Sequence, residues 1–189
     1  MDWLEAVKED LRKAKIVKIG KYDYIVNPLS SGTPRIRPVV LWGCAFEIAR
    51  VANLKDANVI LAPEAMAIHL ATALSLITGI PFIVIRKRSY GLKDEIKIVK
   101  RTAYAETKMY LYGVKPGDRV ILIDSIIATG GTFSAIIKAL KERGIIIQDV
   151  IAVIEKADLG GVERVEKETG HRVKTLIKVS IENGRVKVI

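Results

Sequence analysis

One stretch of the sequence decides the fold, and it reads Val120-Ile-Leu-Ile-Asp-Ser-Ile-Ile-Ala-Thr-Gly-Gly-Thr132. It begins as an apolar run that is typical of a buried strand, which we place at residues 120–123. The carboxylate of Asp124 ends this run, and small residues follow it. From about Thr132 to Arg143 the apolar residues recur at helical spacing. The stretch therefore predicts a strand, a loop and a helix in succession.

The loop of this unit has the composition of an anion-binding site. In an open parallel sheet, ligands bind beyond the carboxyl ends of the strands, where loops lead into helix N-termini. Small side chains let backbone N–H groups approach an anion, hydroxyls donate to it, and the helix adds its positive dipole end. The residues with these properties are Ala128, Thr129, Gly130, Gly131 and Thr132. A plain turn capped by threonine is the alternative, and the combination of strand, carboxylate, small loop and helix argues against it.

The rest of the chain indicates an α/β fold around a mostly parallel sheet. Apolar runs without alternation occur at 59–62, 82–85 and 150–154, as in strands that are covered on both faces. A helical pattern from Ala65 to Thr78 joins the first two of these runs, as a βαβ unit requires. The length of 189 residues fits one domain.

Several further segments are predicted from periodicity and turn residues. They are an amphipathic helix at 2–13, a strand at 22–26, an irregular loop at 27–34, a helix from Pro38 to Ala49, a helix at 162–168, and strands at 173–179 and 185–189 joined by an Asn-Gly turn.

The net charge of +10 favours an anionic partner, which a nucleic acid, a membrane surface or a phosphorylated small molecule would be. Half of this excess lies in residues 86–108, where eight side chains are basic and three are acidic. Residues 86–112 lack a clear helical period and form either a long loop or a hairpin. A long excursion inside a compact domain is usually functional.

Composition also bears on the cellular location. No apolar run approaches the ~20 residues that a membrane span requires. The N-terminal residues are mixed rather than basic and then apolar, so they do not resemble a secretory signal. The single cysteine, Cys44, excludes an intrachain disulfide. We therefore expect a cytoplasmic protein without membrane contact, in which Cys44, His69 and His171 are structural.

Residues 120–132 resemble the 5-phosphoribosyl-1-pyrophosphate (PRPP) signature of the type I phosphoribosyltransferases. The resemblance continues through Pro63-Glu-Ala-Met-Ala, Ile85-Arg-Lys-Arg88 and Val153-Ile-Glu-Lys156, which are placed like the family's pyrophosphate loop, basic strand end and base-binding hood. The chain is similar to archaeal hypoxanthine/guanine phosphoribosyltransferases, and more distantly to xanthine and adenine enzymes.

The resemblance implies the type I phosphoribosyltransferase fold, in which helices flank a central, mostly parallel sheet. Residues 1–189 would form a single domain. Residues of about 20–35 and 156–189 would form a small hood, and about 88–110 a flexible lid.

The resemblance also implies a role for each site residue. The 5′-phosphate and ribose would be bound by Asp124, Ser125, Ala128, Thr129, Gly130, Gly131 and Thr132. Pyrophosphate would be bound by Glu64, Ala65, Met66, Lys87, Arg88, Tyr90 and Lys93. The purine would be bound by Asn27, Ile127 and Lys156. Catalytic roles would fall to Asp124, Lys87 and Arg86.

The implied reaction transfers ribose 5-phosphate from PRPP to hypoxanthine or guanine, and it yields IMP or GMP and pyrophosphate. Mg²⁺ would be bound mainly through PRPP, with no protein ligand assigned, and the enzyme would be a homodimer. Adenine is the alternative base. A PRPP-sensing regulator that binds nucleic acid without turnover is the alternative class, because Ser125 stands where the family has a second acidic residue. No helix-turn-helix pattern precedes the sheet, so nucleic acid is not expected as a partner.

Structural interpretations of these residues remain open. The cations Lys87, Arg88 and Lys93 are either ligands or solvated loop charges. The carboxylate of Glu64 could stabilise a helix N-terminus. Asn27 has the character of a turn residue, and Lys156 could lie at a strand end on the surface.

Overall fold

The computed structural model describes residues 3–20, 22–101 and 106–189, with Arg101 described by its backbone alone. Its helices are α1 (Glu5–Arg12), α2 (Pro28–Ser31), α3 (Pro38–Val51), α4 (Ile68–Thr78), α5 (Gly131–Glu142) and α6 (Gly161–Thr169). Its strands are β1 (Lys15–Ile19), β2 (Tyr22–Val26), β3 (Val59–Pro63), β4 (Phe82–Ile85), β5 (Ile96–Arg101), β6 (Glu106–Leu111), β7 (Arg119–Ile127), β8 (Ile146–Lys156), β9 (Lys174–Glu182) and β10 (Arg185–Val188).

Six strands form the central sheet in the order β10-β9-β8-β7-β3-β4. All neighbours are parallel except β10, which returns antiparallel to β9. Asn183 and Gly184, both with positive φ, make the turn between these two strands, as the Asn-Gly pair predicts. The predicted α/β architecture is confirmed.

Helices cover both faces of the sheet and create two hydrophobic cores. Successive residues of β7 point to opposite faces, so that Ile121 and Ile123 enter one core and Val120 and Leu122 the other. The first core includes buried residues of α1, α3 and α4, and the second includes those of α5 and α6. Burial on both faces explains why these strands are apolar without alternation.

Two elements at the carboxyl edge of the sheet differ from the sequence prediction. The strand predicted at 120–123 continues to Ile127, because residues 124–127 pair with β8 despite the polar Asp124 and Ser125. The helix predicted from Ala65 begins only at Ile68, and residues 64–67 form a turn. Both differences concern candidate site residues: Asp124 and Ser125 lie in a strand, and Glu64 to Met66 lie in a turn.

The basic segment forms the hairpin that the sequence left open. Strands β5 and β6 pair antiparallel, from Ile96 with Leu111 to the backbone of Arg101 with Glu106. Backbone hydrogen bonds between Arg86 and Tyr110 join this hairpin to the end of β4. Residues 102–105, which belong to the predicted lid, lie outside the described residues.

The strands of the predicted hood belong to two different sheets. Strand β2 pairs with β1, which the sequence analysis missed, in a separate two-stranded sheet. Strands β9 and β10 join the edge of the central sheet. Residues 28–31, predicted as part of an irregular loop, form the single helical turn α2, because Asn27 caps it. Of the helices in the described ranges, none is long and apolar enough to span a membrane.

Candidate active site

Four strands end at one edge of the sheet, and the predicted site residues lie in or just beyond these ends. Strands β4, β3, β7 and β8 are consecutive parallel neighbours. Pro63 pairs with Ile85, and Ile127 pairs with Glu155. The register of β3 with β7 places Pro63 level with Asp124, so β7 and β8 extend beyond the ends of β3 and β4. Because neighbouring strands lie about 4.8 Å apart, groups that follow these ends can act on one small ligand.

The small-residue loop lies between β7 and α5. Residues 128–130 connect the strand to the helix, which begins at Gly131. Gly130 caps the helix with a φ of 74°, a conformation that favours glycine. The backbone N–H groups of the first helical turn lack intrahelical partners, and they are available to an anion. We call residues 128–132 the cradle, and phosphate binding there stays a prediction.

A glycine outside the cradle shapes it as well. A Cβ on Gly161, at the start of α6, would lie 2.1 Å from the carbonyl oxygen of Ala128, and a Cβ on Gly130 would lie 2.5 Å from the oxygen of Gly161. Two backbones therefore meet here without room for side chains. The sequence analysis missed Gly161, although the Gly160-Gly161 pair before a helical pattern was a usable signal.

Alternation along the end of β7 separates residues that face the cleft from residues that are buried. Asp124, Ile126 and Ala128 are partly exposed, whereas Ser125 and Ile127 are each 1% exposed. Ile127, predicted to pack beneath the purine, instead belongs to the core that α5 and α6 cover. Ile126 is partly exposed and packs against the first core.

The Asp124 carboxylate has an unusual environment. Surrounding protein atoms remove water from it, and this burial raises the pKa of Asp124 to about 7. Hydrogen bonds from Ser125 act in the opposite direction, with its N–H donating to Asp124 Oδ1 at 2.7 Å and its Oγ at 3.4 Å. A carboxylate that titrates near neutrality at a strand end is typical of a functional site.

A second loop follows β3, directly beside β7. Residues 64–67 turn through a cis peptide bond between Glu64 and Ala65, and Ala65 is exposed. The Glu64 carboxylate accepts a hydrogen bond from Lys87 N–H at 2.7 Å, and its other oxygen lies 3.0 Å from Arg86 Nε. Glu64 therefore ties this loop to the basic end of β4, and its charge is already matched by Arg86.

The remaining residues of the predicted pyrophosphate site, three cations and a tyrosine, are exposed to solvent. Lys87, Arg88, Tyr90 and Lys93 are all exposed, and they lie between β4 and β5. Glu95 orders this segment, since it accepts hydrogen bonds from the hydroxyl of Ser89 and from the N–H of Tyr90. The structure thus brings Lys87 close to the Glu64–Met66 turn and leaves its ammonium available to a ligand.

The two polar residues predicted to touch the purine have local partners. Lys156, at the end of β8, donates from Nζ to the carbonyl oxygen of Asp23 in β2 at 2.7 Å. Burial lowers the pKa of Lys156. Asn27 is 1% exposed, and its side chain caps α2 by accepting from Ser30 N–H and donating to Ser30 Oγ. Its contact with a base stays a prediction.

Two cations that the sequence analysis did not assign flank the cradle. Lys100, from β5, donates from Nζ to the Thr132 hydroxyl at 3.2 Å. Arg164, from α6, donates from Nη1 to the Thr129 carbonyl oxygen at 3.3 Å. They come from elements distant in sequence, so no local motif identifies them.

Carboxylates are sparse near the cradle. Within the described ranges, no three Asp, Glu, His or Cys side chains are grouped closely enough to hold a metal ion. Asp124 is the carboxylate on the cleft face of β7. This donor set suits Mg²⁺, which typically takes one or two protein carboxylates and completes its octahedron with substrate phosphates and water.

Known proteins match most of this chain. Residues 44–178 match the family model described as "Phosphoribosyl transferase domain". A hypoxanthine/guanine phosphoribosyltransferase from Methanocaldococcus infernus is 44% identical over 95% of this chain and 97% of its own length. One from Methanothermus fervidus is 46% identical over 98% and 97%, respectively.

Solved structures support the fold. An adenine phosphoribosyltransferase from Rhodothermus marinus superposes with a TM-score of 0.76 over 93% of this chain and 98% of that chain. At 20% sequence identity, this similarity concerns the fold alone.

Proposed function

Because the chain belongs to the phosphoribosyltransferase family, we propose that it is a purine salvage enzyme that uses hypoxanthine or guanine. It transfers ribose 5-phosphate from PRPP to the base and releases pyrophosphate. The products are IMP or GMP.

The observation that carries this proposal is the placement of the cradle and the 64–67 turn after neighbouring parallel strands. PRPP has a phosphate at one end of its ribose and a pyrophosphate at the other. The cradle follows β7, and the turn of residues 64–67 follows β3, which pairs with β7 in parallel. Two anion sites on one sheet edge suit a ligand with two separated anionic groups.

The side chains have distinct tasks in the transfer. Cradle N–H groups and the hydroxyls of Thr129 and Thr132 bind the 5′-phosphate, and Asp124 accepts hydrogen bonds from ribose hydroxyls. As the bond from ribose C1 to pyrophosphate breaks, Lys87 and Arg86 neutralise charge that grows on the leaving group. Interactions that strengthen as this bond breaks raise the rate rather than only the affinity.

Base selection depends on a donor that faces purine C6. The Lys156 ammonium carries three protons, and one is used by Asp23. The remaining protons can bind the C6 oxygen of hypoxanthine or guanine, whereas the amino group of adenine would oppose them. The relatives named above carry the same base preference in their names.

Mg²⁺ accompanies PRPP in this proposal. Asp124 is the protein residue placed to contribute a ligand, directly or through the ribose hydroxyls. When bound, the ion would neutralise charge on the pyrophosphate.

We also propose that the protein is a homodimer in the cytoplasm. An apolar cavity of about 680 Å³ lies between α3 and α4, and its lining includes Leu41, Trp42, Ile68 and Leu76. Trp42 and Leu76 are exposed, and Trp42 stacks with the exposed Phe46. An exposed apolar surface of this kind commonly marks a protein–protein contact.

The activity is tested by incubating the protein with PRPP, Mg²⁺ and one purine base at a time, and by quantifying nucleotide and pyrophosphate. We expect hypoxanthine and guanine to give equal amounts of nucleotide and pyrophosphate, and adenine to react far more slowly. Preferential formation of AMP would reassign the base.

The same preparation tests the regulator alternative. Binding of PRPP without product from any base, together with salt-sensitive binding of DNA or RNA, would contradict the enzyme proposal. The decisive measurement is the formation of nucleotide, because a sensor without turnover would form none.

A further inference from the structure

Lys100 contacts the cradle, although it lies 32 residues before Thr132 in the sequence. Its Nζ lies 3.2 Å from Thr132 Oγ1. The ammonium acts as the donor in this contact, since it has no acceptor atoms. The Thr132 hydroxyl therefore keeps its own proton free for a ligand.

The absence of a side chain at Gly131 gives Lys100 access to this position. A Cβ on Gly131 would lie 3.3 Å from Lys100 Cε, which is closer than most such contacts. The lysine stem crosses this glycine and ends beside the first turn of α5. A larger residue at Gly131 would displace the ammonium from the cradle.

Lys100 also lacks a carboxylate partner among the described residues. Arg164 and Lys138, which line the same cavity of about 610 Å³, both pair with Glu168 at 2.7 and 2.8 Å. Burial and, after it, the positive charge of Arg164 lower the pKa of Lys100. A half-buried cation next to another cation needs an anion nearby to favour its charged form.

We infer that Lys100 binds the 5′-phosphate of the ligand held at residues 128–132. This inference rests on the proposed function, because it assumes that the cradle binds a phosphate. An oxygen that accepts from Thr132 Oγ1 would lie about 2.7 Å from that hydroxyl and within reach of the Lys100 ammonium. The hairpin strand β5 thereby contributes a charge to a site built by β7 and α5.

The test uses ribose 5-phosphate, which contains the phosphate and sugar without base or pyrophosphate. Titration calorimetry compares wild-type protein with Lys100→Met, which keeps the apolar stem and removes the charge. We expect affinity for ribose 5-phosphate to fall about 10- to 100-fold, as for a lost charge-assisted hydrogen bond. Affinity for inorganic pyrophosphate should stay within about twofold, since that ligand uses other residues.

Lys97→Met is the matched control. Lys97 is exposed on the same strand, and its offset of three residues places it on the opposite face. It makes the same change in net charge and should leave ribose 5-phosphate affinity within about twofold of wild type. Lys100→Gln offers a second test of the same loss if the methionine disturbs packing.

The outcomes separate the two proposals. Equal ribose 5-phosphate affinity in wild type, Lys100→Met and Lys100→Gln would overturn the role of Lys100 and leave the transferase proposal intact. Loss of affinity in the Lys100 variants, in a protein that forms no nucleotide from any base, would support Lys100 and overturn the transferase proposal. Failure of the wild type to bind ribose 5-phosphate would overturn both.

Discussion

Asp124 and Ser125 are neighbours in β7 with different roles. The Asp124 carboxylate is on the cleft face, while Ser125 is buried and directs its N–H and hydroxyl to Asp124. Ser125 therefore supports the charged form of Asp124, and its predicted contact with ribose stays a prediction. The carboxylate proposed to bind ribose has a pKa that burial raises to about 7, so it is only partly charged at neutral pH.

The pH dependence of catalysis should follow this titration. Burial raises the pKa of Asp124 to about 7, and the charged carboxylate is the form that accepts from two hydroxyls. We expect kcat/KM for PRPP to rise with pH through about 7 and then to level. Asp124→Asn should lower kcat/KM by about tenfold or more and remove this rise, as measured in a pH–rate profile. A variant profile that still rises near pH 7 would assign the titration to another group.

Stability provides an independent check on Asp124. A folded-state pKa of about 7, above the ordinary value of 3.8 for an aspartate, means that the native protein binds more protons than the unfolded chain between the two values. Stability should therefore fall as pH rises from about 4 to about 7, with no penalty below this range and a full penalty above it. Asp124→Asn should unfold at higher denaturant than wild type at pH 8 and lose this advantage near pH 4.

Lys87 should contribute to turnover and little to stability. Its N–H holds Glu64, but its side chain is exposed and free to meet pyrophosphate. We expect Lys87→Ala to lower kcat/KM about 10²- to 10³-fold while changing unfolding free energy by less than about 0.5 kcal/mol. Lys115→Ala, an exposed lysine before β7 at the opposite edge, should change neither. Parallel losses in turnover and stability for Lys87→Ala would give it a structural role.

At the scale of elements, the cradle depends on the contact between the β7–α5 loop and the start of α6. Gly130 and Gly161 allow the two backbones to meet, and Arg164 then reaches the Thr129 carbonyl. The cradle is thus shaped by two segments separated by about thirty residues. Its shape is sensitive to changes in α6 that touch no ligand.

Gly161→Ala tests this dependence. The new methyl group would lie 2.1 Å from the Ala128 oxygen, so either the cradle or α6 must move. We expect a loss of about 1–3 kcal/mol in stability and a rise of about tenfold or more in KM for PRPP. Gly170→Ala, at the other end of α6 and with open space around its Cβ, is the control for α6. Its own positive φ should cost stability without changing KM. An unchanged KM in Gly161→Ala would contradict the dependence.

The parts of the fold that sequence reasoning predicted are those with strong local signals. Strand β4 was predicted with its observed bounds because its apolar run is unbroken, although it is only partly buried at the edge of the sheet. The end of β7 was missed because Asp124 and Ser125 interrupt the run, and only pairing with β8 keeps them in the sheet. Ile127 was assigned to the purine by resemblance alone, and the structure buries it in the core that α5 and α6 cover.

Site residues contributed by distant elements had no local signal. Thr129 to Thr132 were predicted from a motif that contains its own loop and helix. Lys100 and Arg164 lie on β5 and α6, and they meet the cradle only after the chain has folded. Periodicity and turn chemistry describe neighbours along the chain, and they contain no information on such contacts.

At the scale of the whole molecule, the apolar cavity between α3 and α4 predicts self-association. Trp42 lines it and is 49% exposed. Trp42→Lys should convert a dimer to a monomer, because an ammonium cannot be buried in an apolar contact without a partner. Sedimentation velocity measures this change. Tyr112→Lys, at a side chain that is 51% exposed elsewhere, should leave the mass unchanged. A wild-type protein that sediments as a monomer would contradict the proposed dimer.

The central claim is that one sheet edge binds a phosphate and a pyrophosphate on either side of one ribose. A crystal structure of the protein with IMP, pyrophosphate and Mg²⁺ tests it most directly. The 5′-phosphate should accept hydrogen bonds from the N–H groups of residues 129–132, and pyrophosphate should lie between the 64–67 turn and Lys87. The purine C6 oxygen should face Lys156. A 5′-phosphate bound away from residues 128–132, or a base far from the end of β8, would contradict the claim.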